Sequence, residues 1–230
     1  MLYPDGNLLH TWRAGQARQP AFLEDYAALI LGLLSLYQAD QDLQWFSTAE
    51  TLTHQMVGKF EDEAGGFFNT STDQETLIVR PKDLQDNAIP SGNALASRAL
   101  LEMAAFTDIG EYYDQAVRPF ASLQETFIKY PTAFAYWLQA FDFSLGPTRQ
   151  IAILWPEGDQ THEDFIRFLY KQYLPGMVLA AGPYPAAEQA PALLHNRPLS
   201  AYKTTVFVCQ SFVCKLPVTS LEGLADQLSQ

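Results

Sequence analysis

Apolar residues recur at intervals of three and four positions through the N-terminal part of the chain, a spacing that predicts amphipathic helices. The stripe formed by Tyr26, Ile30, Leu33 and Tyr37 is the clearest example. The link between the first two stripes is short, so we expect those helices to pack as antiparallel neighbours. Helices are predicted at about Phe22–Tyr37, Asp42–Phe60, Ser91–Phe106, Glu111–Lys129 (kinked or split at Pro119) and Pro131–Gly146.

A Gly-rich segment interrupts this helical pattern. The polar turn Gly65-Gly66-Phe67-Phe68-Asn69-Thr70 is followed by the β-prone run Thr76-Leu77-Ile78-Val79. Glycine beside aromatic and β-branched residues is typical of a hairpin. We therefore predict a small β-hairpin inserted between the second and third helices.

The pattern changes after Gly146-Pro147. Short apolar runs typical of buried strands alternate there with helical segments, which predicts a small, mostly parallel sheet. The strands are predicted at Ile151–Trp155, Met177–Ala180 and Thr204–Val208, and the helices at His162–Gln172, Ala187–His195 and after a capping box of Thr219 and Glu222. The predicted fold is mainly α, with helix hairpins and the inserted β-hairpin in residues 1–146 and a small α/β unit in residues 147–230.

Charge narrows the classes of function. The 230 residues include 26 acidic and 14 basic ones, a formal net charge of −12. Such a surface repels phosphate backbones and anionic lipid, so we expect neither nucleic acid nor a membrane as partner. The longest apolar stretch, Tyr26 to Tyr37, is too short to span a bilayer. Residues 1–6 lack the basic start of a signal peptide, and a cytoplasmic location is expected.

Several short motifs follow one another in a characteristic order. The most specific are Arg80-Pro81-Lys82 and Asp86-Asn87-Ala88-Ile89-Pro90-Ser91-Gly92-Asn93, and the others are Leu23–Ala27, Gly65–Phe68, Leu145–Pro147 and Val208–Cys214. In this order they resemble the C-terminal part of the YyaL-type, spermatogenesis-associated, thioredoxin-domain-containing proteins. The resemblance covers nearly the whole chain.

The resemblance implies a larger architecture. It consists of an N-terminal thioredoxin-like domain, a toroid of helix hairpins similar to that of six-hairpin glycosidases and sugar 2-epimerases, and a small α/β tail. This chain then corresponds to a partial (α/α) toroid with its tail, lacking the thioredoxin-like domain and any Cys-x-x-Cys. Because its helices are too few to close a ring, we expect the open edges to pair with another copy or with a separately encoded N-terminal half.

Asp25 and Asp86 are the predicted catalytic pair. Helix starts line the central cavity of a toroid, and a glycosidase-like site needs two carboxylates beside one bond. The alternative is that Asp25, with Glu24, only favours the positive end of its helix. The histidines lie outside the motifs, which argues against a sugar epimerase because similar folds are thought to use histidine for proton transfer.

Other residues of the motifs are suited to hold a small sugar or polyol through amide and bidentate hydrogen bonds. The predicted substrate-binding residues are Tyr26, Phe67, Arg80, Lys82, Asn87, Ser91 and Asn93. The alternative is turn chemistry, since Asn, Asp, Pro, Ser and Gly shape loops and cap helices without a ligand.

Cys209 and Cys214 are the only cysteines. Their spacing fits neither a thiol-exchange motif nor half of a zinc site, so we interpret them as structural thiols that a cytosolic protein would keep reduced. No His or Cys pair has metal-ligand spacing with partners nearby, and neither a metal nor a cofactor is expected.

The leading hypothesis is therefore a carbohydrate-processing-like or carbohydrate-binding toroid fragment with a polar cleft. The alternative is a non-catalytic interaction module that docks a thioredoxin-like domain or a partner chain. A third hypothesis is that the chain is the remnant of a truncated gene and has no independent role. An exposed apolar face would favour the interaction module, and a polar cavity would favour the first hypothesis.

Overall fold

The computed structural model of the chain describes residues 7–73 and 79–229. A two-stranded antiparallel hairpin, β1 (Leu9–Arg13) and β2 (Gln16–Pro20), precedes the helices. The helices that follow are α1 (Leu23–Asp40), α2 (Leu43–Phe60), α3 (Gly92–Thr107), α4 (Gly110–Val117), α5 (Phe120–Lys129) and, after a 3₁₀ turn at Pro131–Phe134, α6 (Ala135–Leu145).

Local signals set several of the helix ends. Asp42 caps α2 by accepting a hydrogen bond from the Gln44 amide, and Ser91 caps α3 in the same way through Ala94. Pro119 separates α4 from α5, which confirms the predicted split of the fourth helix.

Only part of the hairpin predicted between α2 and α3 falls within the described residues. That part contains an isolated antiparallel bridge between Glu61 and Phe67. The Phe68 and Thr72 amides donate to the Phe60 and Lys59 carbonyls at the end of α2. Thr76–Ile78 of the predicted second strand lie outside the described residues. The hairpin that does form, β1–β2, turns at Ala14 and Gly15, both with positive φ, in a polar stretch without a strong strand pattern.

Helix α3 lies at the centre of the helical part. It packs against α1, α2, α4 and α6, and it is buried along most of its length. Small residues make this burial possible, because Ala94, Ala96 and Ala99 are fully buried and let neighbouring helices approach. At its start, a Cβ on Gly92 would lie 3.2 Å from the Glu24 amide nitrogen, so this glycine brings α1 and α3 together.

A four-stranded sheet forms the C-terminal part. Its strands are β3 (Arg149–Trp155), β4 (Met177–Pro183), β5 (Thr205–Gln210) and β6 (Val213–Cys214), in the order β4-β3-β5-β6, with α7 (His162–Tyr170) between β3 and β4 and α8 (Leu221–Leu228) at the end.

The prediction of a mostly parallel sheet is wrong. Strands β3 and β4 are parallel across the α7 crossover, whereas β5 is antiparallel to β3 and β6 is antiparallel to β5. The predicted Ala187–His195 helix is only a 3₁₀ turn at Ala192–Leu194. Because no long helix returns the chain to the other end of the sheet, β5 enters from the end where β4 finishes.

The sheet and the helices share one hydrophobic core. One sheet face, with Ala152, Leu154 and Phe207, belongs to the same buried cluster as α1, α3 and α6. The opposite face packs under α7 and α8, with Phe165 and Leu224. In α8 the cap is Ser220, which accepts from the Gly223 amide, instead of the predicted Thr219.

Over the residues that the structure describes, the fold is therefore a mixed, mainly helical one with two small sheets. Of the helices in the described ranges, none combines the length and the apolar character needed to cross a membrane. The division into residues 1–146 and 147–230 stays a prediction.

Candidate functional site

The starts of α1, α3 and α6 meet at the loop segments 61–73 and 79–91, where the motif residues lie. The Leu23 amide donates to the Asn69 carbonyl at 3.0 Å, and the Asn69 side chain is hydrogen-bonded to Asp83 at 2.6 and 2.9 Å. The predicted site residues are thus gathered at one end of the helical part.

Asp86 joins two helices at this end. Its Oδ1 accepts from the Ser91 amide at 2.8 Å, and its Oδ2 accepts from the Tyr136 amide at 2.8 Å. Both oxygens therefore hold backbone groups at the starts of α3 and α6. In this structure the carboxylate positions helices, and its predicted acid–base role stays a prediction.

Asp25 lies at the start of α1 beside His10, which is outside the sequence motifs. Its Oδ2 accepts from the Phe22 amide at 2.8 Å and lies 2.7 Å from His10 Nδ1. The neighbouring Glu24 carboxyl has a raised pKa, first because of burial and then because of the Asp25 charge. His10 belongs to β1, and its contact with Asp25 depends on how the β1–β2 hairpin packs at the start of α1.

Asn93 holds the Phe67 backbone. Its Oδ1 accepts from the Phe67 amide at 2.7 Å, and its Nδ2 donates to the Phe67 carbonyl at 2.9 Å. Both residues are buried, and Ser91 caps α3 beside them. In this structure these three residues fasten the Gly65-Gly66-Phe67 turn to the start of α3, and their role in ligand binding stays a prediction.

Arg80 and Lys82 flank the ring of Phe68. The Arg80 guanidinium lies 4.1 Å from the ring centroid and donates to the Lys59 and Thr70 carbonyls. Lys82 Nζ donates to Asp62 Oδ2 at 2.5 Å, and this bond holds the pKa of the Asp62 carboxyl below its usual range. Both cations therefore order the loop.

The two remaining predicted residues lie apart from each other. Tyr26 is buried against Phe60, and its hydroxyl accepts from the Leu8 amide at 3.2 Å. Asn87 is exposed, and its amide donates to the Ile89 carbonyl.

A cleft also opens between the helices and the sheet, and its residues were not predicted from the sequence. This interhelical cleft lies between α1, α3 and α6 and the starts of β3 and β4, and it encloses about 640 Å³. Its polar lining includes Ser35, Arg98, Glu102, Tyr136, Asp142 and Arg149.

A buried ion pair forms one wall of the interhelical cleft. Arg98 Nε donates to Glu102 Oε1 at 2.7 Å, and the Arg98 guanidinium stacks 4.0 Å from the Phe143 ring centroid. Burial raises the pKa of the Glu102 carboxyl, although Arg98 opposes this shift. Within the described ranges, no hydrogen-bond partner holds the second Glu102 oxygen.

Tyr136 connects the interhelical cleft to the motif residues. Its ring lines the cleft, whereas its backbone amide is held by Asp86. Burial raises the pKa of the Tyr136 hydroxyl. The Arg98 charge opposes this shift, and the Glu102 and Asp86 charges add to it. In sequence, Arg98 and Glu102 look like an ordinary surface pair four residues apart on a helix, which is why sequence analysis missed them.

The fold and the cleft define a class of helix-hairpin protein with a small mixed sheet packed on the helical core. Spermatogenesis-associated protein 20 of Homo sapiens is 30% identical to the chain over 207 residues, which cover 86% of the chain. The Rattus norvegicus protein of the same name is 28% identical over 239 aligned positions covering 98% of the chain. The chain belongs to this family, as its motifs predicted.

The relatives are much longer than the region they share with the chain. The chain spans 26% of the human protein and 30% of the rat protein. An uncharacterized protein of Caenorhabditis elegans is 26% identical over 207 residues, covering 90% of the chain and 28% of that protein. No family model matches the chain.

Proposed function

We propose that the chain binds and processes a carbohydrate or a related polyol in the interhelical cleft. The observation that carries the proposal is the Glu102 carboxyl, whose pKa is raised by burial and which lines a cleft of about 640 Å³. A buried acid with a raised pKa in a cleft is typical of a group that donates a proton during catalysis.

Glu102 and its neighbours suit the two carboxylate roles of a glycosidase, a proton donor and a second carboxylate. Glu102 supplies the proton to the leaving oxygen, and Arg98 orients it through the 2.7 Å hydrogen bond. Asp142, exposed on α6 and lining the same cleft, supplies the second carboxylate. Tyr173 at the edge of the cleft is 91% exposed and offers an aromatic face on which a sugar ring can stack.

The motif residues take a supporting role in this proposal. Asp86 fixes Tyr136 in the cleft wall, and Asn93 and Ser91 fix the start of α3, the helix that carries Arg98 and Glu102. We further propose that the helices form part of an (α/α) toroid completed by chain outside these residues. The relatives' greater length supports this part of the proposal.

The test combines binding and turnover. Thermal unfolding of the chain is recorded with and without a panel of mono- and oligosaccharides, and release of reducing ends is followed separately. A sugar at one hundred times its Kd should stabilise the chain by about 2.7 kcal/mol, a shift of several degrees. Glu102→Gln keeps the shape of the side chain and should retain the thermal shift while turnover falls by at least about a hundredfold, as for loss of a proton donor.

Glu63→Gln is the matched control, because Glu63 is exposed and lies away from the cleft. It should change neither the thermal shift nor turnover. In the wild type, turnover should fall as pH rises through the raised pKa of Glu102, since only the protonated acid donates. A panel in which no saccharide moves the melting temperature would reject the proposal.

The competing function, an interaction module for a thioredoxin-like domain or a partner chain, has one observation in its favour. Large apolar side chains are exposed at the end of α5, where Ile128 is 78% and Tyr130 is 52% exposed. This function expects no saccharide effect and a loss of partner binding in Ile128→Ser. The same saccharide panel therefore distinguishes the two proposed functions, because only the first expects a thermal shift.

A further inference from the structure

Cys209 and Cys214 face each other across β5 and β6 and form a disulfide, in contrast to the free structural thiols expected from the sequence. The two sulfurs differ in access. Cys209 is 2% exposed and belongs to the shared core, whereas Cys214 is only half-buried on the edge strand. An incoming thiolate can therefore reach the Cys214 sulfur more easily than the Cys209 sulfur.

An arginine contacts the accessible sulfur. Arg197 Nη1 lies 2.8 Å from Cys214 Sγ, and Arg197 Nε donates to the Leu193 carbonyl at 2.5 Å. The guanidinium also lies 5.4 Å from the centroid of the Phe207 ring. These contacts fix the cation beside one sulfur of the pair.

This cation lacks an anionic partner in the part of the chain that the structure describes, since no carboxylate there lies within 4.0 Å of it. Arg197 is half-buried, so its charge is partly removed from water, and this burial lowers the pKa of its guanidinium. A half-buried charge without a counter-ion is unfavourable. A neutral disulfide does not neutralise it, but a thiolate on Cys214 would.

We propose that Cys209–Cys214 is a redox-active disulfide that exchanges with a dithiol, and that Arg197 stabilises the Cys214 thiolate of the reduced form. A thiolate of the dithiol attacks Cys214 Sγ, the disulfide breaks, and Cys209 leaves and takes up a proton. The second thiolate of the dithiol then attacks the dithiol sulfur that is bonded to Cys214. The Cys214 thiolate leaves and remains beside Arg197. The chain gains two electrons, and the dithiol becomes a cyclic disulfide.

The experiment measures the dithiol–disulfide equilibrium of the folded chain. The protein is equilibrated at pH 7 with defined ratios of reduced to oxidised dithiothreitol, alkylated, and analysed by mass spectrometry. The wild type should reduce while remaining folded. Arg197→Gln should require a reduced-to-oxidised ratio at least about tenfold higher, because one unit in a thiol pKa corresponds to a tenfold change in an equilibrium constant.

Arg167→Gln is the control, since Arg167 is an exposed arginine on α7 that pairs with Asp164. It should leave the midpoint unchanged, and Arg197→Lys should restore part of the wild-type value. Circular dichroism melts show whether each variant folds. If Arg197→Gln does not fold, the reduced wild type provides the second measurement, and limiting iodoacetamide should modify Cys214 well before Cys209.

Two results would overturn the proposal. One is a wild-type disulfide that dithiothreitol opens only when the chain unfolds. The other is a midpoint that Arg197→Gln and Arg167→Gln leave equally unchanged, or, where Arg197→Gln does not fold, equal alkylation of the two cysteines. Either result would make the disulfide a purely structural link between β5 and β6.

Discussion

At the scale of single residues, polar side chains in this chain serve the ends of helices. Asp25 and Asp86 accept hydrogen bonds from backbone amides at the starts of α1, α3 and α6. Unpaired amides at a helix start need such acceptors, and a carboxylate there also favours the helix dipole. A polar residue next to a helix start therefore first serves to accept hydrogen bonds from the helix amides, and a catalytic role needs separate evidence.

Removing the Asp86 side chain tests this assignment. Asp86→Ala leaves the Ser91 and Tyr136 amides without their acceptor, and we expect the free energy of unfolding to fall by about 2 kcal/mol. Tyr136 should then lose its fixed place in the interhelical cleft, so any saccharide-induced thermal shift should shrink. The measurements are urea unfolding and the same thermal-shift panel.

Asp42→Ala provides the comparison for Asp86→Ala. Asp42 caps α2 through the Gln44 amide and is exposed, so its loss should cost about 1 kcal/mol and leave ligand binding unchanged. Equal effects of the two substitutions on ligand binding would contradict the link between Asp86 and the cleft.

Sequence reasoning reaches some of these residues and not others, for a physical reason. The Ser91 cap depends on neighbours within three residues, and the sequence pattern already places the start of this helix at Ser91. Glu102 depends on burial by α6 and by the loops before β3 and β4, which are far away in sequence. On a helix, the same Arg98–Glu102 spacing describes either a solvated surface pair or a buried pair.

At the scale of elements, one glycine turn connects α2 to α3. Gly66 has a φ of +75°, and a Cβ on this residue would lie 2.9 Å from Asn93 Oδ1. That oxygen accepts a hydrogen bond from the Phe67 amide, which is one of the two hydrogen bonds by which Asn93 joins the turn to the start of α3. Within the described residues, the Gly-rich signal marks this attachment point, and the second strand predicted for the hairpin lies largely outside them.

Gly66→Ala should therefore destabilise the chain. A left-handed backbone conformation costs an L-residue about 1–2 kcal/mol, and displacement of Asn93 adds to this cost. We expect the free energy of unfolding in urea to fall by about 2 kcal/mol or more. Gly58→Ala in α2 is the matched control, because an added Cβ there meets no atom within 4 Å and should stabilise the helix by about 0.5–1 kcal/mol. A neutral Gly66→Ala would show that the turn readily finds another conformation.

The direction of β5 shows what element-level patterns leave open. The sequence located β3, β4 and β5 to within a few residues, because apolar runs mark buried strands. The direction of β5 depends on how the chain from residue 184 to residue 204 travels, and that segment contains only a 3₁₀ turn at Ala192–Leu194. The composition of a strand does not show whether the strand runs parallel or antiparallel to its neighbour in the sheet.

At the scale of the whole molecule, the helices and the sheet are held by the same core. Two glutamine-mediated contacts reinforce this, because the Leu179 amide donates to Gln38 Oε1 at 2.9 Å and the buried Gln150 donates through Nε2 to the Ala105 carbonyl at 2.8 Å. Each contact joins a helix of the N-terminal part to a strand of the sheet. Separation of the two parts would expose apolar surface and leave these backbone groups unpaired.

We therefore expect the helical part and the sheet to unfold as one cooperative unit. Native-state hydrogen exchange should give the amides of Leu100 in α3 and Ile153 in β3 opening free energies that agree to within about 1 kcal/mol. Leu100 lies in the shared core, and Ile153 lies on β3 between Ala152 and Leu154, which belong to that same core. Val206 in β5 should behave in the same way, whereas exposed amides of the β1–β2 hairpin should exchange much earlier. Substantially lower protection throughout the sheet than in α3 would mean that the α/β unit opens alone. The predicted division at residue 146 would then be an energetic boundary, and the interhelical cleft, which contains Arg149 from one side and Glu102 from the other, would open with it.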